Sequence, residues 1–282
     1  MQAPKDQDSG RLALLRNAMA EGADREAVRY LVFCADRLLA HMHPVSGDKI
    51  LDVATGTGAL ALAASQAVGP AGRVTAIDTA ESLLDRLGFK ISKFGIANID
   101  VQTMDAAHLD FRRDYFQHTA CSLGIFWQPD PDAALRECVR VTRPGGGVHL
   151  AVLAPQAFQP QLGLLLQRIV QVSGGTSVTV SWEQVIRHES LLSFLQRAGL
   201  VEVAVQEEQL GYHLRDAQEW WEVVWHSTLR LLLEQVPAAQ RSRLRAEHLA
   251  EVAALASADG LWLDVAVLFA RGRKAQRAAT QN

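Results

Sequence analysis

The chain has 282 residues, 49% of them hydrophobic and 21% charged, with 28 Lys and Arg against 31 Asp and Glu for a formal charge of −3. Such a length and apolar content exclude a disordered tail or a disulfide miniprotein, and the charge balance excludes a broad electropositive field for a nucleic-acid backbone or an anionic membrane. Cys34, Cys121 and Cys138 are far apart with no CxxC pair, which suits free thiols in a reducing compartment. No stretch reaches the roughly 18 apolar residues of a spanning helix, so the expected location is cytoplasmic.

Residues 11–43 read as two helices, the second from Asp24 with Ala27, Leu31, Cys34, Leu38 and Met42 at helical spacing. Pro44, Ser46 and Gly47 stop it. Ile50, Leu51 and Val53 then form a strand, followed by a glycine turn and a helix from Ala59 to Val68. A second strand, Arg73 to Ile77, leads to a helix from Ala80 to about Phe94 with Thr79 as its expected cap. Strands follow at Ile99 to Met104 and Thr119 to Ile125. A helix from Asp132 to Thr142 runs into Pro144 to Gly147, read as a turn, before the strand Val148 to Leu153. Strands alternating with helices imply a parallel sheet covered on both faces: an α/β, doubly wound fold.

The second half reads differently. Gln161 to Val172 and Ser181 to Ala198 are helical, the latter opening on the capping-box pair Ser181 and Gln184. A strand at Val201 to Val205 precedes a helical insertion over 216–257, capped by Asp216 and interrupted near Pro237. A final strand spans Leu261 to Phe269, and residues 271–282 read as a loose, flexible tail. The two late strands are expected to pair antiparallel at the sheet's end, with the helical excursion as a lid.

The segment Asp52-Val53-Ala54-Thr55-Gly56-Thr57-Gly58 leaves a strand and enters a helix, the place where an open α/β sheet binds its ligand. Gly56, Gly58 and Ala61 also keep the dinucleotide spacing, so an NAD(P)-dependent oxidoreductase is the competing enzyme class. Asp52 at the strand tip separates the two readings. A carboxylate beside the helix N-terminus repels a pyrophosphate but tolerates a cationic, phosphate-free nucleoside such as S-adenosylmethionine. Asp78, at the end of the second strand, can accept from ribose hydroxyls, and also reads as an ordinary acid at a helix start.

Four ordered motifs carry a resemblance. Ile50 to Gly58, Ala76-Ile77-Asp78, Met104-Asp105-Ala106 and Arg140-Val141-Thr142-Arg143-Pro144-Gly145-Gly146 resemble the successive motifs of class I S-adenosylmethionine-dependent methyltransferases, in the small-molecule branch that includes quinone-biosynthesis enzymes. The resemblance covers about Lys49 to Leu153. It implies a Rossmann-like, seven-stranded, mostly parallel sheet with a C-terminal antiparallel hairpin, an N-terminal helical cap and a helical lid. The expected organisation is one domain over 1–270: N-terminal helices to 47, the cofactor core over 48–154, and a C-terminal half over 155–270 with the lid at about 211–258.

The same resemblance implies that Ala54, Gly56 and Gly58 line the methionine portion and that Asp78 binds the ribose; Asp52, Thr79 and Trp127 are also read as cofactor-binding residues. It places Asp105 on the adenine amino group, the Ala106 amide on a ring nitrogen, and backbone groups of Ser122 and Leu123 on the amino-acid moiety. Ala54 departs from the glycine usual at its position. For Asp105 the plainer alternative is a solvated loop acid.

Methyl transfer needs an in-line geometry, and an acceptor that must lose a proton also needs a base. The candidates are His226, His188 and His213, with Glu219 as an acid and Tyr212 as an orienting donor. Trp220, Trp221 and Trp225 precede His226 on one helix and would form an aromatic wall or simply core packing. Trp127, after the fourth strand, would shape the site or pack its loop. The fourth-strand tip Ser122-Leu123-Gly124 lacks the Asn or Asp followed by two prolines that grips a base amine. No acidic cluster has the look of a magnesium site. The expected partner is therefore a small, aromatic or lipophilic acceptor, with neither nucleic acid nor metal. A homo-oligomer and a non-catalytic cofactor-binding subunit stay open.

Overall fold

The computed structural model describes residues 20–22, 25–172 and 187–276. These divide into two compact units. A sheet unit comprises residues 31–154, 187–208 and 267–276, and a helical unit comprises 20–22, 25–30, 155–172 and 209–266.

The strands are β1 (Lys49–Val53), β2 (Arg73–Asp78), β3 (Ile99–Thr103), β4 (Phe116–Ser122), β5 (Thr142–Leu153) and β6 (Leu200–Gln209), then β7 (Tyr212–Leu214) and β8 (Leu261–Leu263) of the helical unit, and β9 (Ala266–Lys274). Helices α1 (Tyr30–Met42), α2 (Ala59–Val68), α3 (Glu81–Phe94), α4 (Pro131–Val141) and, beyond α5 (Gln161–Val172) of the helical unit, α6 (His188–Arg197) accompany the sheet. The helical unit also holds α7 (Ala217–Trp225), α8 (Arg230–Glu234) and α9 (Ala238–Ala253).

Seven strands form one sheet in the order β3-β2-β1-β4-β5-β9-β6. The pairs β1–β2, β2–β3, β1–β4 and β4–β5 are parallel, whereas β9 runs antiparallel to β5. β1 is buried on both faces, with Ile50, Leu51, Asp52 and Val53 at 0 or 1% exposure, which explains why its sequence is a continuous apolar run rather than an alternating one. Strand order reverses between β1 and β4, and the crevice at such a reversal, outside the carboxyl ends, is where doubly wound sheets take their ligands.

The seven-stranded, mostly parallel architecture is the expected one; several boundaries move. Thr79 is not a cap: α3 begins after Ala80, whose N–H is bonded instead by Asp78 Oδ1 at 2.9 Å. α4 starts at Pro131 and is capped by Asp130, which accepts from the Ala133 amide at 2.8 Å. Pro144 to Gly147 lie within β5 rather than in a separate turn. β4 starts and ends earlier than read, and Ile125–Trp127 form a single 3-10 turn. β6 extends to Gln209. The helix read from Asp24 begins at Tyr30 after a 3-10 turn at Glu26–Val28; Asp24, Ser181 and Gln184 lie outside the described residues. The strand read over Leu261 to Phe269 is two strands, β8 and β9. Residues 271–274 of the expected tail are the end of β9, paired to β5 through Arg271↔His149 and Arg273↔Gly147.

Within the helical unit, β7 and β8 pair antiparallel, placing Tyr212, Leu214, Leu261 and Leu263 on a buried face. The Tyr212 hydroxyl donates to the Ala27 carbonyl at 2.6 Å, under the Arg29 guanidinium, which stacks 3.8 Å from the ring centre. The insertion over 216–257 is three helices. Asp216 caps α7 as expected, accepting from the Glu219 amide at 2.9 Å. Arg168 of α5 ties to α9 through Glu247 at 2.9 Å and also through Glu251. Among the described residues no helix is long and apolar enough to cross a membrane.

Candidate functional site

The bend after β1 is assembled from three kinds of constraint. Ala54, Gly56 and Gly58 adopt φ of 54°, 56° and 84°, the left-handed region that favours glycine. Ala54 holds this conformation at a cost of about 1 kcal/mol, so the residue that departs from the usual glycine makes the turn under mild strain. Its methyl is also what limits the next loop. A Cβ on Gly124 would fall 2.6 Å from Ala54 Cβ, so only glycine lets the loop after β4 approach the bend this closely. Above Gly56, by contrast, an added Cβ would meet nothing within 4 Å; the bend faces open space there.

Asp78 is the second constraint. Its Oδ2 accepts from the Gly56 amide at 3.0 Å and its Oδ1 from the Ala80 amide at 2.9 Å, so one half-buried carboxylate joins the tip of β2 to the bend. Each oxygen keeps a further lone pair for an added hydroxyl. The Thr55 amide donates to the Ile77 carbonyl, and the Met104 amide to the Asp78 carbonyl, carrying the connection on to β3.

Asp52 supplies the third. At 1% exposure its carboxyl lies behind the bend, accepting from the Thr55 hydroxyl at 2.6 Å and from the Ala61 amide. Burial pushes its pKa up to about 7, against the opposing pull of those two hydrogen bonds, and the neighbouring Asp78 charge adds to the rise.

Further along, exposed Asp105 accepts from the Ala107 amide at 2.9 Å and pairs with His108 Nδ1 at 3.2 Å; the amide bond, with the histidine, holds it below the usual carboxylate range. Ala106 beside it is buried. The Leu123 amide, read as a group offered to the cofactor, is committed to the Ala151 carbonyl at 2.9 Å. Leu123 itself turns with φ of 62°. Trp127 closes the 3-10 turn after Gly124 and is 39% exposed.

The residues read as bases have separate placements. His188 is exposed at the start of α6 in the sheet unit, Nε2 against the Val205 carbonyl at 3.1 Å. His213 is exposed on β7, its ring 5.1 Å from that of Trp262. His226 is 5% exposed, with Nε2 3.3 Å from Glu222. Glu219 is occupied at the start of α7, accepting from the Arg215 amide at 2.6 Å and its guanidinium at 3.1 Å. The expected aromatic wall divides: Trp220 and Trp221 are buried, whereas Trp225 is partly exposed beneath the Arg230 guanidinium. Sequence reasoning missed His248, fully buried on α9, which accepts from the Trp220 indole at 2.8 Å. The two residues are 28 positions apart on different helices, and no local pattern joins them. Among the described residues no group of three His, Cys, Asp or Glu side chains could hold a metal ion.

A parallel sheet with a reversal at β1 and β4, a glycine bend at that reversal and carboxylates at the tips of β1 and β2 defines a nucleoside-binding α/β fold whose donor set suits a phosphate-free, positively charged nucleoside. Residues 50–146 match the methyltransferase-domain family. The chain is 26% identical to nocamycin O-methyltransferase of Saccharothrix syringae over 262 residues, 89% of this chain and 94% of that protein. It is 36% identical to demethylmenaquinone methyltransferase of Staphylococcus aureus over 131 residues, 46% of this chain and about half (52%) of that protein. A putative methyltransferase from Bacillus halodurans shares the fold, with a TM-score of 0.55 at 19% identity over 86% of this chain and 99% of that one. The chain carries a methyltransferase domain and is an S-adenosylmethionine-dependent methyltransferase that resembles the class I enzymes of quinone biosynthesis, with S-adenosylmethionine as its cofactor. The oxidoreductase alternative finds no support in these relatives.

Proposed function

We propose that the enzyme methylates an oxygen, nitrogen or carbon of a small aromatic or lipophilic metabolite. The observation that carries this reading is the open, acid-backed bend at Gly56, clamped by Asp78 and supported from behind by Asp52. The names of two relatives, an O-methyltransferase of nocamycin and a methyltransferase of demethylmenaquinone, support a metabolite as acceptor.

When bound, the cofactor supplies an electrophilic methyl group on a sulfonium. The remaining work belongs to the chain. Ala54 and Gly56 let the backbone approach the methionine portion, Gly58 turns the chain into α2 close against Leu87, and Thr79 and Trp127 flank the site. Asp78 uses its remaining lone pairs for the ribose. Asp105 and the Ala106 amide address the adenine, and the Ser122 and Leu123 carbonyls face the ammonium group. His226, with Glu222 beside it, is the group proposed to take a proton from the acceptor, with His188 and His213 as the other histidines to be compared.

The test is a thermal-shift comparison followed by a transfer assay. S-adenosylhomocysteine well above its dissociation constant should raise the melting temperature, and NAD or NADP should not. Incubation with isotopically labelled methyl donor and a panel of phenolic, amino and carbon-acid metabolites should then label an aromatic or lipophilic member. Stabilisation by NADP alone, or label appearing only in nucleic acid, would reject the proposal.

A further inference from the structure

A histidine pair joins β4 to β5 within the sheet unit. His118 Nδ1 lies 3.2 Å from His149 Nε2, and His118 Nε2 lies 3.4 Å from Asp48 Oδ2. The rings meet because the residue paired with His118 is Gly147: a Cβ there would fall 2.3 Å from His149 Nε2 and 3.2 Å from His118 Nδ1. Asp48 is fixed by the Val45 amide, which donates to the same Oδ2 at 2.8 Å. Asp48 and His149 are buried, at 6% and 5% exposure, and His149 Nδ1 has no hydrogen-bond partner among the described residues.

Donors and acceptors fix the order of protons along this chain. An ionised carboxylate only accepts, so His118 Nε2 carries the proton that faces Asp48. In neutral His118, Nδ1 is then bare and accepts from His149 Nε2, which leaves a bare, unpartnered Nδ1 at the far end. One added proton can be absorbed: His118 becomes doubly protonated beside Asp48, and the proton of His149 moves from Nε2 to Nδ1. A second cannot, because two imidazolium rings would set N–H against N–H across 3.2 Å.

Cations surround the pair. His149 is faced by His118 of β4, by Arg271 of β9, and by His41 at the end of α1 with His43 just after it. His118 is faced by Arg143 of β5 and Arg273 of β9 as well as by Asp48. Glu208 of β6 is already shared by His41 at 2.7 Å and Arg37 at 2.6 Å. Burial, then these cations, lowers His149 to about 3, and burial outweighs Asp48 in lowering His118. An unfolded imidazole takes its proton near 6.5. The stability that the neutral pair supplies is therefore complete above that value and is lost as the pH falls from there toward about 3.

His149 lies in one row with Ala120 of β4 and Asp52 of β1. Two residues on, the Ala151 carbonyl holds the Leu123 amide of the loop after β4, whose Gly124 is packed against Ala54 in the bend. We propose that Asp48, His118 and His149 form an acid latch: with at most one added proton it keeps β4 and β5 together beside the bend, and on taking a second it opens and releases the cofactor.

The experiment measures the affinity of the full chain for S-adenosylhomocysteine by calorimetry from pH 7.5 to pH 5, in wild type and in His149→Phe, which keeps a flat ring and cannot take a proton. The two should bind alike at pH 7.5, and by pH 5 wild type should have lost at least tenfold more affinity than the variant. Asp52 titrates in both proteins and cancels in the comparison. The release step rests on the proposed seat of the cofactor in the bend, so urea unfolding of the same two proteins is measured alongside. Wild type should lose stability toward acid relative to the variant. Parallel unfolding profiles would overturn the latch; diverging unfolding profiles with parallel affinities would instead reject the bend as the cofactor's seat. Spectra of wild type labelled with nitrogen-15 at histidine need no substitution and decide the matter if His149→Phe fails to fold. At pH 7.5 they should show His149 neutral with its proton on Nε2. Imidazolium signals from both His118 and His149 in protein that still holds S-adenosylhomocysteine would overturn the proposal.

Discussion

Substituting Asp52 with asparagine isolates a charge that the fold keeps out of water. Well below pH 3.8 the carboxyl is protonated whether the chain is folded or not, and it places no electrostatic load on the fold. As the pH rises past the unfolded value of 3.8, the unfolded chain releases its proton while the folded carboxyl holds it up to about 7. Folding therefore takes up a proton, and stability falls across that window. The separation of the two values, at about 1.4 kcal/mol per tenfold change in proton affinity, sets the loss at about 4 kcal/mol. Asp52→Asn can still accept from Thr55 and does not titrate, so urea unfolding from about pH 4 to pH 8 should show wild type losing stability relative to the variant, with the gap levelling above about pH 7. A cationic ligand favours the ionised carboxyl. Titrating S-adenosylmethionine near neutral pH in two buffers of different ionisation enthalpy should accordingly reveal proton release from wild type that the variant lacks. Parallel pH profiles for the two proteins would refute the placement of a buried carboxyl that keeps its proton behind the bend.

Asp78→Ala removes the clamp on Gly56 and the proposed ribose acceptor together, and should weaken S-adenosylhomocysteine binding by about 1.5–3 kcal/mol in calorimetry; unchanged affinity would remove Asp78 from the site. Gly124→Ala should cost about 1–3 kcal/mol of stability in denaturant titrations, because its methyl would overlap that of Ala54. Adding Ala54→Gly should restore most of that loss, whereas additive effects would show that the two methyls do not meet. The three thiols are buried, with burial pushing Cys34 and Cys121 well up and Cys138 to about 12. An aromatic disulfide reagent should therefore be inert toward native protein and titrate all three thiols in denaturant.

The parts of the fold legible from sequence were those in which short-range chemistry and the long-range partner agree. Ile50 to Val68 read correctly as strand, bend and helix because a doubly buried strand is continuously apolar and the bend needs residues that tolerate positive φ. Asp130-Pro131 carried a readable helix start, an Asp cap with proline in the first turn, which the nearby Asp132 obscured. Tyr212–Leu214 is too short to show a period and becomes a strand only through its pairing with Leu261–Leu263. The run from Arg271 to Lys274 looks like a solvated tail because its side chains are polar, yet its backbone completes the ladder with β5, and Gly272 permits close approach to Leu200.

At the candidate site, the bend and Asp78 were visible because strand-end positions follow from the fold class. That both Asp78 oxygens already hold the backbone, that the Leu123 amide is spent on Ala151 and that Gly124 is packed against Ala54 depend on loops meeting across the sheet. His118 and His149, 31 positions apart, meet only through the β4–β5 register, with Nδ1 of the first 3.2 Å from Nε2 of the second and Asp48 beyond. No spacing rule would have found them.

The two ends of the stretch over residues 210–265 are fastened to each other. The Leu210 amide donates to the Val265 carbonyl at 2.9 Å, the Val265 amide to Gln209 Oε1 at 2.9 Å, and Gln209 Nε2 to Asp264 at 2.7 Å. With both ends pinned side by side, lengthening or rewriting what hangs between them changes the ring-closure entropy only logarithmically. A change in the length of this excursion, made away from its contacts with Ala27, Gln161 and Arg168, is therefore expected to leave the pairing of β9 with β5 in register.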